Sequence, residues 1–405
     1  MGSWKHIMAR DDERGWSSPG DKYVCSECVF DYALKAFVLA EADSEGCDYC
    51  GEAVPTIHVD HLIEKIANSL YLEWGNPDEE LPYETREGGY QGAIYDTDEI
   101  IDDAAENQVL QDDIIDAFRG RLWCERDYFG LKWHQALSVG WMAFCDLVKH
   151  HNRYMFLSEE DEAGGHWSND GVPAGRMLHE LGELIKELGL VHVLPADTDI
   201  YRARLSSSGE SFMTAAELGS PPTDRALYAS RMSAAGISMF YGAFDPDTCL
   251  KELDYDQGKH TASIARFKTT SDSQVVSLTD VPSIPSIYDD EQRRQRDALR
   301  FLHEFLYDFA KPITKDDKER IDYVPTQIVT EFIRYSMTDG NGGKLVGVKY
   351  PSARERAGEC IVLFVDNDGC LGDEDGRGRY TERSLRMVEV QNRVPASKTR
   401  KNTRA

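Results

Sequence analysis

The chain has 405 residues, 41% hydrophobic and 10% aromatic, with a formal net charge of −27. That length exceeds one ordinary core and predicts two or three domains, with enough apolar material to fold them. No run of about 18 apolar residues occurs, which excludes a membrane-spanning helix, and so anionic a chain repels phosphate backbones, which disfavours nucleic acid as a partner.

The start, Met1-Gly2-Ser3-Trp4-Lys5, lacks the apolar stretch of a secretion signal, so a cytoplasmic location is expected. Residues 1–55 read as a four-cysteine zinc module. Cys25-Ser26-Glu27-Cys28 and Cys47-Asp48-Tyr49-Cys50 are separated by 18 residues, and each pair offers two thiolates from one turn. The nine cysteines are an odd number, which argues against a disulfide framework. Cys25, Cys28, Cys47 and Cys50 together close a tetrahedron around Zn2+ and leave no position for water. The metal is therefore expected to build structure and do no chemistry; the alternative is four free thiols in a reducing cell. His58 and His61, just downstream, read as helix-start histidines rather than ligands.

Residues 56–190 read as an all-α domain. Asp60 suits a cap for a helix carrying Leu62, Ile63, Ile66 and Leu70 on one face. Further helices are predicted over Glu99–Phe118, Leu131–Phe156 and Arg176–Leu188, the last stopped by Gly189. From Gly75 to Asp116 nearly every charge is acidic, with Arg86 the lone base.

Near Val191 the pattern changes to short β-rich runs alternating with helices, a mixed α/β domain over residues 191–370. Strands are predicted at Ile200–Leu205, Ile237–Phe244, Ala262–Phe267, Val275–Leu278, Leu345–Tyr350 and Ile361–Val365. Helices fall after Asp245-Pro246, from about Asp289 to Phe309, and over Thr326–Tyr335. Residues 371–405 read as a loop and a basic tail outside the fold, ending with Lys398, Arg400, Lys401 and Arg404.

The informative blocks lie in this second half. They are Tyr201-Arg202-Ala203-Arg204, Arg231-Met232-Ser233-Ala234-Ala235-Gly236, Met239-Phe240-Tyr241-Gly242-Ala243, Leu250-Lys251-Glu252 and Gly347-Val348-Lys349-Tyr350-Pro351-Ser352. In order and spacing this resembles the RES family, named for an arginine, a glutamate and a serine, over about Val191–Asp366. Many members are toxins of toxin–antitoxin pairs. The resemblance implies an ADP-ribosyltransferase-like fold, breakdown of NAD+ as substrate, and catalytic roles for Glu252, Arg202 and Ser352. Many relatives carry asparagine where Ser233 stands, so no role is carried to Ser233.

The chemistry agrees with those residue types. Loss of nicotinamide leaves an oxocarbenium-like ribose, best stabilised by one carboxylate beside the sugar, the role of Glu252. The diphosphate of NAD+ calls for a planar cationic fork, supplied by Arg202 and Arg231. Tyr241 would stack on nicotinamide or the ribose face, and Ser352 would bond ribose or phosphate or help place water. Each residue also has a plainer reading: a core tyrosine, a solvated helix glutamate, a turn serine. The charged stretch Glu291-Gln292-Arg293-Arg294-Gln295-Arg296 exceeds what a compact RES domain needs, so it would reshape access to the pocket or bind another domain.

The helical half resembles the HEPN-type domains that precede some RES domains. HEPN ribonucleases carry an arginine followed four to six residues later by a histidine. Arg126 and His134 have seven residues between them, and the only fitting pair, Arg296 and His303, falls in the other half. The helices thus read as a non-catalytic module for sensing, dimerising or inhibiting. Restraint by an antitoxin, restraint by the chain's own first half, and a homo-oligomer all stay open. Two other functions compete with NAD+ glycohydrolysis by water or phosphate: ADP-ribosyl transfer to a macromolecule, and a non-enzymatic zinc-bearing adaptor.

Overall fold

The computed structural model describes residues 10–393 apart from 12, 87, 102–103, 128–129, 156–170, 208, 257–258, 311–318 and 373–383. The basic tail beyond Arg393 and most of the Gly369–Arg379 loop thus lie outside the described residues. The chain packs as two units, residues 1–134 with 283–300, and residues 135–282 with 301–405. Sequence patterning places boundaries at about 55, 190 and 370. Periodicity marks which face of an element is buried but not which core receives it.

In the first unit, strands β1 (Tyr23–Cys25), β2 (Ser44–Glu45) and β3 (Pro55–His58) make an antiparallel sheet in the order β1-β3-β2. Helix α1 (Tyr32–Glu41) starts at Asp31, whose side chain accepts from the amides of Ala33 and Leu34. Helix α2 (Val59–Glu73) buries Leu62, Ile63, Ile66 and Leu70, as the spacing predicts. Its cap, however, is His58, whose Nδ1 accepts from the Asp60 amide at 3.2 Å, because β3 runs straight into the helix.

The chain continues through β4 (Trp74–Gly75), α3 (Pro77–Glu80), and the hairpin β5 (Tyr83–Glu84) with β6 (Gly89–Tyr90). The stretch read as one helix over Glu99–Phe118 divides into α4 (Thr97–Ile100) and α5 (Gln108–Ala117). Each has its own cap, a capping box at Asp96 with Glu99 and the Asn107 side chain, so two starts lie inside one apolar pattern. Strand β7 (Cys124–Glu125) pairs with β4. The helical region is therefore not all α.

The core of this unit gathers Trp16, Leu34, Ile57, Leu62, Ile66, Phe118 and Trp123, and it takes in Tyr288 from far along the chain. The charged stretch around residue 290 is thereby explained. Tyr32 donates to Asp289 at 2.9 Å, Lys65 pairs with Asp290 at 2.5 Å, and Arg296 and Arg300 hold Glu73 at 2.8 and 3.1 Å.

The second unit opens in α6 (Trp133–Asp146), which runs on as a wider turn over Leu147–His151; Phe156, its expected end, lies outside the described residues. Helix α7 (Met177–Glu187) follows. The sheet then assembles β8 (Val191–Leu194), β9 (Asp199–Ser206), β10 (Phe240–Ala243), β11 (Thr261–Thr269), β12 (Ser273–Ser277), β13 (Gly347–Pro351), β14 (Glu359–Leu363), β15 (Cys370–Leu371) and β16 (Leu385–Arg393). Its order is β15-β16-β11-β9-β10-β14-β13-β12-β8, with β12–β13 and β15–β16 parallel and the other pairs antiparallel. The helices are α8 (Ala215–Leu218), α9 (Pro246–Glu252), α10 (Arg296–Ala310, in this unit from Phe301 on), α11 (Glu319–Asp322) and α12 (Val324–Tyr335). Among the described residues no helix is long and apolar enough to cross a membrane.

Strand β16 corrects the expectation that residues 371–405 leave the fold, for it pairs along its whole length with β11. Its charged residues hid it. Leu385 is buried, whereas Arg386, Glu389 and Arg393 make ion pairs with Asp197, Arg266 and Asp247.

Along β9 the side chains alternate. Tyr201, Ala203 and Leu205 pack with Leu250, Ala262 and Ile264 on one face. Ile200 packs with Phe240, Ala265 and Phe267 on the other. Strands β9 and β10 pair at Ala243 with Tyr201. Gly242 is required beside that point, because a Cβ there would stand 2.5 Å from Ile200 Cγ2 and 3.1 Å from the Tyr201 carbonyl.

Candidate functional site

Pro246 at the first position and Asp245 as cap set the start of α9, with Asp245 accepting from the amides of Asp247 and Thr248. The helix ends at Glu252, where the Leu253 amide turns back onto the Leu250 carbonyl and Asp254 takes a left-handed backbone conformation. The β13–β14 turn returns across that end and brings Ser352 to it: Ser352 Oγ donates to Glu252 Oε1 at 2.5 Å. The hydroxyl also accepts from the amides of Arg354 and Glu355 at 3.1 and 3.0 Å, which fixes its lone pairs away from the carboxylate. Two ion pairs flank the contact, Lys251 with Glu355 and Arg354 with Asp254. Gly358 lets the turn approach; a Cβ there would lie 2.6 Å from Thr248 Oγ1.

Tyr241 lies on β10 with its hydroxyl donating to Ser233 Oγ at 2.9 Å and accepting from the Met232 amide at 3.3 Å. Burial raises its pKa, opposed chiefly by those hydrogen bonds. Tyr350 is pushed well above the usual phenol range by burial, with Cys360, Tyr241 and Glu252 adding to the rise and Arg231 opposing it. Tyr241, Glu252 and Arg231 thus all act electrostatically on one buried phenol. The Arg231 backbone is held by α12: Thr326 Oγ1 donates to its carbonyl at 2.5 Å, while Gln327 Nε2 donates to the carbonyls of Ser230 and Ser233 at 2.8 and 3.3 Å.

Arg202 is placed differently. Ile200, two residues before it on β9, and its register partner Ala265 belong to the face opposite Leu250 of α9. The guanidinium donates through Nε to the Gly219 carbonyl at 3.0 Å and through Nη1 to the Tyr241 carbonyl at 2.6 Å. It lies 5.4 Å from the Phe240 ring centre, and burial lowers its pKa. It lines a cavity of about 570 Å³ with Arg204, Ser220, Arg225 and Asn367; neither Glu252 nor Ser352 lines it. Cys249 is pushed up to about 12 by burial, with Arg202 opposing the rise and Glu252 adding to it.

Sequence reasoning passed over Ser233, Thr326 and Gln327. Buried polar side chains on the otherwise apolar face of α12 were the available signal for the last two.

In the first unit the four thiols converge, all within 4.8 Å of one another. Cys25–Cys28, Cys25–Cys50 and Cys28–Cys47 each stand 3.7 Å apart. A tetrahedron with metal–sulfur bonds of about 2.3 Å has edges of about 3.8 Å, so the group can hold a metal ion. Burial pushes Cys47 up, but the amides of Cys50, Tyr49 and Cys25 outweigh it and bring the thiol down to about 7. His58 and His61 are not in the group.

The arginine and histidine with HEPN-ribonuclease spacing are otherwise engaged. Arg296 holds Glu73 and the Pro285 carbonyl, and the His303 ring bonds the Pro282 carbonyl at 2.9 Å.

These features define a two-part protein, a four-thiol helical region followed by a mixed-sheet domain in which a helix-end carboxylate meets a turn hydroxyl. Residues 40–162 match the HEPN/RES N-terminal domain 1 family, and residues 199–381 match the RES domain family. The chain therefore carries a RES domain preceded by a HEPN/RES N-terminal domain, and the RES domain points to a toxin family whose members are commonly enzymes. Comparison with curated proteins and with solved structures gave no match.

Proposed function

We propose that the protein is a RES-type toxin or defence enzyme that cleaves NAD+ between nicotinamide and ribose. The observation that carries this reading is the hydrogen bond from Ser352 to Glu252, which unites the glutamate and serine of the RES pattern. In the reaction the C1′–N bond breaks and its electron pair leaves with nicotinamide, so positive charge develops on the ribose. The Glu252 carboxylate stabilises that charge through a ribose hydroxyl, and Ser352 keeps the carboxylate oriented. Water then bonds C1′ through its oxygen and releases a proton, giving ADP-ribose and free nicotinamide.

Tyr241 supplies an aromatic face for the substrate, and Arg231 with Arg202 binds its diphosphate. Arg202 needs only the edge of its guanidinium that is not committed to Gly219 and Tyr241. An ADP-ribosyltransferase-like arrangement of the sheet belongs to the same proposal. The four thiols hold one Zn2+ as a structural ion. The helical region restrains or senses rather than cleaves, in the cytoplasm, alone or with an antitoxin partner or a second copy of the chain.

Expression in a bacterial host tests the reading. Cellular NAD+ should fall and growth should stop, and Arg202→Ala or Glu252→Ala should relieve both. Equal toxicity from folded variants would refute it.

A further inference from the structure

The cavity beside Arg202 holds more cationic chemistry than the Glu252–Ser352 pair uses. Arg202, Arg204 and Arg225 all line it, in a chain with 72 acidic and 45 basic residues. In such a chain most cations can find an acid; among the described residues none of these three makes an ion pair, and only Arg204 acts on a carboxylate, that of Glu217, whose pKa is lowered chiefly by its hydrogen bonds and to a lesser degree by the guanidinium. Arg202 donates to two backbone carbonyls, which carry partial charge, and lies over the Phe240 ring; a desolvated cation without an anion is costly. Arg204 donates to the Glu217 carbonyl at 3.1 Å and lies 4.3 Å from the Phe212 ring centre. Arg225 makes no ion pair among the described residues.

Two carboxylates, Glu217 and Asp224, share the cavity. That of Glu217 is committed to the amides of Met213 and Thr214 and to the Thr214 hydroxyl. The walls are held without a ligand: Asn367 Nδ2 donates to the carbonyls of Ala216 and Ser220 at 3.0 and 2.6 Å, and Ser220 Oγ donates to the Val365 carbonyl at 2.6 Å. The volume, about 570 Å³, falls in the range of about 300–1,000 Å³ common for small-molecule sites.

We propose that this cavity is a diphosphate-binding site in which Arg204 and Arg225 grip the anion beside Arg202. Each guanidinium can meet two phosphate oxygens at once, and together they supply the counter-anion that Arg202 lacks. That the diphosphate is a dinucleotide's rests on the NAD+ reading above; the anion site stands without it.

Calorimetric titration of the full-length protein with inorganic pyrophosphate, and separately with ADP-ribose, tests this. Both should bind, and the double variant Arg204→Ala/Arg225→Ala should weaken both at least tenfold. Both side chains are exposed, so the thermal midpoint should hold, and Arg225→Lys should lose less affinity than Arg225→Ala because it keeps the charge but not the planar fork. No binding by the parent protein, or equal binding by the double variant, would overturn the proposal. Kinetics separates the two ideas. If the double variant binds pyrophosphate and ADP-ribose as the parent does and releases nicotinamide with an unchanged KM, the cavity assignment fails and the NAD+ reading survives. If pyrophosphate binding depends on both arginines but no nicotinamide is released, the reverse holds.

Discussion

Ser352 Oγ lies 2.5 Å from Glu252 Oε1, a hydrogen bond between side chains 100 positions apart that joins the turn after β13 to the last residue of α9. A hydroxyl donating to a carboxylate contributes about 1.5–3 kcal/mol, or roughly ten- to a hundredfold in rate if the orientation matters only at the transition state. Ser352→Ala should therefore lower kcat for nicotinamide release by that factor with KM little changed. Steady-state kinetics on the purified variant measures it, and a change confined to KM would assign Ser352 to binding instead.

The fate of the ADP-ribose separates hydrolysis from transfer. With NAD+ labelled in the adenine, nearly all label should remain in small molecules after exhaustive reaction in a host lysate. Label held on protein or nucleic acid in proportion to nicotinamide released would favour the transferase.

Much of this was legible in the sequence, for physical reasons that can be named. Metal ligation needs two close thiol pairs, so Cys25 to Cys50 read correctly as a converging group. The motif blocks around Arg202, Tyr241, Glu252 and Ser352 carried the RES resemblance, and the RES match over 199–381 covers them. Non-local pairing was hidden. Nothing near Tyr241 announces that its hydroxyl meets Ser233, nor does Arg231 reveal that Thr326 holds its carbonyl. Strand β16 alternates too weakly to stand out, because its exposed face uses charges against β11 and neighbouring loops. Tyr288 looked like part of the second half, yet its ring completes the first unit's core.

The four thiols should bind one zinc ion per chain, and Cys28→Ser should abolish it. Cys25, Cys28 and Cys47 belong to the core of the first unit, so metal loss removes folding energy as well as ligands. Metal analysis beside thermal unfolding checks this. Full stability after exhaustive chelation would contradict it.

Glu73 gives the first unit an acid-sensitive clasp. Burial pushes its carboxyl up, but Arg296 and Arg300 outweigh that and hold it below its ordinary 4.5. A depressed carboxylate contributes stability that is full above the unfolded value and fades as pH falls through the lower folded one. Glu73→Gln should cost about 2 kcal/mol at pH 7, since it leaves Arg296 without its anion while Arg300 keeps Asp297 at 3.4 Å. Denaturant unfolding at pH 7 and near pH 3 should show the gap between variant and parent closing in acid. A gap that persists unchanged would place the effect elsewhere.

The most direct measurement is nicotinamide release from NAD+ by the purified, metal-replete protein beside its Glu252→Gln variant. The account predicts turnover by the parent and a loss of at least a hundredfold in the variant, with folding intact. No release by the parent at any protein concentration, or equal release by both, would contradict it.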